Sequence, residues 1–265
     1  MASKAAQNQY LEKIKPYKET IQAQLKLEEI IRQSILKDSS DTGNKRLTLT
    51  DELLFLASNY LIINGISQSI LGIRNEEALN SARKSFVKAI VCLEEQVSPL
   101  IDVPFSDYEE KLAEISSVDA KKRFNLIKRI GLLLNLLKEA YGDNTKWKWA
   151  FVDLDGRHAA ITKNIMNLKT AVMNTDPRSP DYEPTVHHLR FMKRLLNQAA
   201  DRYRERYELS TNLSDDFSLG IEFLNALKRI HNVLGERTDA ESVKKKADAW
   251  SGKLEADNKV KQKSK

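Results

Sequence analysis

The stretch that decides the fold is Trp147–Val172, WKWAFVDLDGRHAAITKNIMNLKTAV. Trp147, Phe151, Leu154, His158, Ile161, Ile165, Leu168 and Val172 follow one another at alternating steps of four and three residues. A helix turns once in about 3.6 residues, so this spacing draws a single seam down one helical face. Long antiparallel helices in bundles and coiled coils join along such seams. The reading predicts one helical seam running through to Val172.

Working outward, the same periodicity recurs. Leu79, Ala82, Phe86, Ile90, Leu93 and Val97 mark a helix over 76–97, and Ile127, Ile130, Leu134, Leu137 and Tyr141 mark another. Leu132, Leu133 and Leu136 widen the second face, which predicts a helix covered on two sides. Narrower stripes follow at Leu189–Tyr203 and Phe217–Leu227. Prolines stand at 16, at 99 and 104, and at 177, 180 and 184, dividing the chain into helical blocks. Ser106-x-x-Glu109 and Thr238-x-x-Glu241 match the capping box, and Asn75, Ser117 and Ser214 suit N-caps. Gly142 and Gly235 sit where helices should end. No segment alternates with a period of two. The expectation is an all-α, elongated bundle of about eight or nine helices with coiled-coil-like packing and little or no sheet. It would form one domain over 1–242, with breaks near 99–105 and 175–184.

Composition narrows the function. The 265 residues include 43 Lys+Arg and 37 Asp+Glu, a net charge of +6. Residues 243–265 alone hold eight Lys against three acids, so the body is close to neutral. That end reads as a basic helix terminus followed by a disordered tail, KVKQKSK. One Cys excludes a disulfide framework and any Cys-rich zinc site. The N-terminal MASKAAQNQYLEK lacks an apolar signal core. Leu53–Ile73 carries no charge, but its Ser, Asn and Gln residues predict a buried central helix and no membrane insertion. A cytoplasmic location is expected.

Within the seam, FVDLDG at 151–156 resembles the phosphotransferase motif of the haloacid dehalogenase family. The resemblance implies Asp153 as nucleophile and Asp155 as general acid, on a loop after a buried strand. Arg157 stands where that family usually has a Thr or Ser, and the helical seam claims the same residues. His158 occupies a seam position normally held by an aliphatic residue and reads as a polar core group. Other catalytic constellations lack their minimum parts: there is no HExxH, GxSxG, phosphate loop or GxGxxG. Neither a catalytic centre, a metal nor a cofactor is therefore expected.

Two sets of side chains remain as candidate surfaces. Lys121, Lys122, Arg123, Lys128 and Arg129 form a candidate anion-binding cluster. Trp147, Trp149, Arg190, Lys193, Arg194 and Arg204 form a candidate partner-binding set, with Lys146 and Lys148 beside the tryptophans. The chain reads as a non-catalytic helical interaction, assembly or scaffold protein that binds another protein or itself. The alternative is a nucleic-acid-binding accessory protein using its basic faces and Lys-rich tail.

Overall fold

The computed structural model describes residues 3–38, 40–142 and 147–263, the Lys263 side chain excepted. Among the described residues the chain is all α, with no strand. Ten α-helices follow in order: α1 (Lys4–Lys37), α2 (Thr42–Leu71), α3 (Glu76–Gln96), α4 (Glu109–Ala113) and α5 (Ala120–Tyr141); then α6 (Lys148–Asn164), α7 (Leu168–Met173), α8 (Tyr182–Arg206), α9 (Ser214–Val233) and α10 (Arg237–Lys263). Contacts group the chain into two compact units. The first is Met1–Val97, Glu110–Ser117 and Asn125–Lys148; the second is Ser98–Glu109, Val118–Phe124 and Trp149–Lys265.

In the first unit, α2 packs against both α1 and α3. Helix α1 buries only Ile14, Ile21 and Glu28, one residue every seven, so it rests on its neighbours by a thin stripe. Glu28 accepts from Arg32 at 2.9 Å and from Lys88 of α3 at 2.8 Å. Burial would raise its carboxyl, but these two cations outweigh it and hold it below the ordinary carboxylate range. Asn75 caps α3 by accepting from the Ala78 amide at 2.9 Å. At the far end of α3, buried Gln96 donates to the Lys111 carbonyl and accepts from Arg46, which ties Glu110–Ser117 into this unit.

The second unit gathers α6, α8, α9 and α10 around one apolar core that includes Met192, Leu196, Phe217, Leu224 and Trp250. Helix α9 ends on Gly235, whose φ of +75° is the left-handed conformation that favours glycine. The Gly235 amide bonds to the Asn232 carbonyl and the Glu236 amide to that of His231, a Schellman closure. The side chains at its two ends also meet, His231 Nδ1 lying 2.6 Å from Glu236. Helix α6 approaches α8 so closely that a Cβ at Gly156 would lie 2.5 Å from the Tyr203 hydroxyl oxygen.

Several sequence expectations are corrected. The seam does not run through to Val172: α6 stops at Asn164, and Asn167 caps a separate α7 through the Lys169 and Thr170 amides. An amide side chain three residues before Thr170 outcompetes helix continuation there. Pro16 lies inside α1 and does not interrupt it, because its ring is exposed and water can reach the carbonyl left without a donor. Pro184 falls in the first turn of α8, where no helical N–H is required. Neither capping box forms. Ser106 bonds Asp107, while α10 begins one residue before Thr238. Asp119 rather than Ser117 caps α5, accepting from the Lys122 amide at 2.7 Å, and Ser214 is the first residue of α9 rather than its cap.

Towards the C-terminus, α10 is helical across residue 243 and on to Lys263. Its Ala247 and Trp250 are buried, Lys246 reaches Asp201 at 2.8 Å, and Asn258 accepts from Ser214 at 2.7 Å. Ser264 and Lys265 lie outside the described residues.

Two glycines give a direct test of this packing. Gly156→Ala should cost about 1–3 kcal/mol by overpacking against Tyr203, and Gly235→Ala about 1–2 kcal/mol from the left-handed backbone. Gly252→Ala, where a Cβ meets open space within α10, should be neutral or stabilise by up to about 1 kcal/mol. Urea denaturation of the three variants checks the order.

Candidate functional site

The first unit leaves apolar surface uncovered where the sequence predicted cover. Helix α5 buries Ile127, Ile130, Leu134 and Leu137, and Leu133 of the second face as well, yet Leu132 is 62% exposed and Leu136 43%. Helix α2 buries Leu49, Leu53, Leu56 and Ile63, while Phe55 is 44% exposed and Ile62 41%. Arg129 of α5 pairs with Asp51 of α2 at 2.8 Å. Leu132 lies one turn beyond Arg129 and Phe55 one turn beyond Asp51, so each exposed stripe begins one turn from this bridge. Further along, Ile62, Gly65, Ile66, Ser69 and Ile70 line an open apolar groove of about 350 Å³ with Lys13 of α1. Helix α2 is also long and apolar enough to cross a membrane, with a mean hydropathy of 1.3 over its best window, of which 44% is buried.

The predicted partner-binding residues have varied surroundings. Trp147 is half-buried, with the Arg83 guanidinium 4.2 Å above its ring and Tyr141 edge-on at 6.3 Å. Trp149 is half-buried against the core of the second unit, and its carbonyl accepts from Arg206 at 3.3 Å. Lys193 donates to both Glu236 oxygens, at 2.8 and 2.9 Å. Arg204 binds Glu208 at 2.9 Å and lies over Trp250. Arg190 and Arg194 are exposed, Arg194 over the Phe191 ring at 5.1 Å. Lys148 is exposed, and Lys146 lies outside the described residues.

Of the predicted anion-binding cluster, Arg123 turns inward and donates to the Val118 and Ile165 carbonyls. Arg129 holds Asp51, and Lys122 faces Asp119 at 3.5 Å. Lys121 and Lys128 are exposed. The start of α5 meets α8 through Phe124, whose ring lies 5.6 Å from His188 and 6.1 Å from Phe191.

The polar interior is richer than the sequence suggested. His158 is 1% exposed and meets Phe191 edge-on at 5.8 Å, which makes it a core residue. The titratable core histidine missed in the sequence is His188, Nε2 of which donates to the Thr162 carbonyl at 2.9 Å. Burial, with Arg123 nearby, pushes its pKa down to about 4. Its signal was the α8 stripe, since it precedes buried Leu189 and lies one turn before buried Met192. Lys163 is buried too, donating to Asn164 at 2.8 Å, and burial together with Arg229 lowers its pKa to about 8. Asn164 in turn donates to the Ser98 and Leu100 carbonyls.

Asp153, the nucleophile implied by the phosphotransferase resemblance, sits on a helix and accepts from Arg206 at 2.8 Å and Tyr203 at 3.4 Å. A cavity of about 440 Å³ opens beside Tyr203, lined also by Asp102, Arg157, Glu222 and Phe223. Ligand atoms of His231, Glu236 and Asp239 gather within 4.8 Å. Lys193 already occupies both Glu236 oxygens, so this group works as an ionic clasp joining α8 to the α9–α10 corner.

His188 makes stability depend on pH. Its folded pKa lies below the ordinary histidine value, so the unfolded chain takes up the proton first. Stability should therefore fall as pH drops from about 6.5 toward 4. His188→Gln keeps a donor without the titration. The Tm advantage of wild type over this variant should shrink across that window in scanning calorimetry.

No curated protein and no solved structure matches the chain. The model of a protein family described as the TP0443 family matches residues 6–258, nearly the whole sequence. The chain therefore belongs to the TP0443 family.

Proposed function

We propose that this protein is a non-catalytic helical interaction or assembly protein, acting in the cytoplasm without membrane insertion. Its partner is another protein or a second copy of itself, held on the apolar face of the first unit. The observation that carries this reading is the exposure of Leu132 and Leu136 on α5 and of Phe55 and Ile62 on α2, two helices of the first unit joined by the Arg129–Asp51 bridge. At about 25 cal/mol per Å² of apolar area removed from water, covering large side chains like these supplies affinity that isolated surface leucines do not. The groove at Ile62–Ile70 extends the same face with little polar lining, as helix-in-groove recognition requires.

Light scattering and chemical cross-linking of the full chain, alone and after pull-down, test the reading. Leu132→Glu combined with Phe55→Glu should weaken self-association or partner capture at least tenfold while circular dichroism stays unchanged. A chain that remains strictly monomeric and captures no protein, or variants that associate undiminished, would overturn it.

A further inference from the structure

The first residues of α5, Lys121–Phe124, meet α8 within the second unit. Phe124 carries the contact: its ring is 6.3 Å from His187, 5.6 Å from His188 and 6.1 Å from Phe191. Lys121 lies one turn before Phe124 on α5, so both share a face. His187, Arg190 and Arg194 follow at steps of three and four on α8, flanking Phe191. All four of these polar side chains are exposed. Among the described residues, Lys121 and Arg190 have no ion pair, and the Arg194 guanidinium meets only the Phe191 ring. The acids close by in sequence are Asp119, facing Lys122 at 3.5 Å, and exposed Glu183, one turn before His187. The helical spacing and the ring contacts gather these exposed groups around one meeting point of α5 and α8.

We propose that the surface formed by Lys121, Arg190 and Arg194 around the Phe124–Phe191 contact binds the phosphate backbone of double-stranded nucleic acid. Duplex DNA presents a phosphate charge about every 1.7 Å of axis, so neighbouring cations on one surface meet several phosphates together. Guanidinium groups grip phosphate oxygens in pairs, and a lysine adds a point charge. Single strands are a poorer fit, because their bases need an aromatic face to stack on. Phe124 is buried, and Phe191 is flanked by Arg194, His158 and Phe124. The contact would be independent of sequence, since phosphate contacts carry no base information. It is separate from the lysines of α10, three of which are already engaged: Lys246 with Asp201, Lys253 with Asp257 and Lys261 with the Asn212 carbonyl.

Fluorescence anisotropy with a labelled duplex of about 20 base pairs, at about 50 and 200 mM salt, tests the assignment. The full chain should bind at the lower salt. Lys121→Gln/Arg190→Gln/Arg194→Gln should weaken that binding at least tenfold and flatten the salt dependence by about three in log–log slope. Lys244→Gln/Lys245→Gln should leave both nearly unchanged, and circular dichroism confirms folding of each variant. Absence of duplex binding at the lower salt would overturn the proposal. So would loss that follows the α10 variant alone, or binding to phosphatidylserine vesicles in preference to the duplex.

Discussion

Tyr203 is the side chain on which the second unit is built. It projects from α8 between two glycines, Gly156 of α6 and Gly220 of α9, which let their helices come close. A Cβ at Gly220 would sit 3.1 Å from the Ala200 carbonyl oxygen and 3.5 Å from the Tyr203 Cβ. In that narrow space Tyr203 stacks on Phe223 at 5.6 Å, and the Arg206 guanidinium lies over the Tyr203 ring at 4.9 Å. Arg206 is thereby placed to reach Asp153 on α6 and Asp216 on α9. The chain then leaves α8 through a π-turn at Tyr207–Thr211, where Thr211 donates to the same Asp216. A buried charge is costly unless it is paired, so these bonds make the corner a fixed structure.

This arrangement shows why FVDLDG misleads when read as a motif. The glycine that resembles part of a phosphate-transfer loop is there because α8 needs the space, and the first aspartate is there for Arg206. Both residues have structural reasons on a helix. A motif carries its chemistry only when the surrounding elements match, and among the described residues no strand is present to supply that setting.

Periodicity made much of the fold legible, because it reports which side chains lie on a common face. It located α3, α5 and α8 closely, and local chemistry identified Asn75 as a cap and Gly235 as a stop. It does not report whether a face is covered. Leu132 and Leu136 looked like a second buried face, yet no described neighbour closes over them. Helix ends were less legible where one amide decides: Asn167 divides the seam through two local hydrogen bonds, which hydrophobic spacing does not record. The C-terminal lysines show a related limit. Composition counts them as free charge, but Ala247 and Trp250 anchor α10, and Asp201, Asp257 and the Asn212 carbonyl hold Lys246, Lys253 and Lys261. Residues pairing across the folded chain decide which basic groups stay available, so the candidate surfaces were only partly legible.

The surviving surfaces differ in physical kind. On the first unit the uncovered groups are apolar, and association there would draw on dehydration, with weak dependence on salt. On the second unit the uncovered groups around Phe124 are cations, whose attraction falls steeply as salt rises. Lys193 and Arg204 began in the same sequence cluster as Arg190 and Arg194, but Glu236 and Glu208 hold them. That sorting leaves Lys121, Arg190 and Arg194 uncommitted around the Phe124–Phe191 contact. A ligand at either surface would therefore be distinguishable by its response to ionic strength alone.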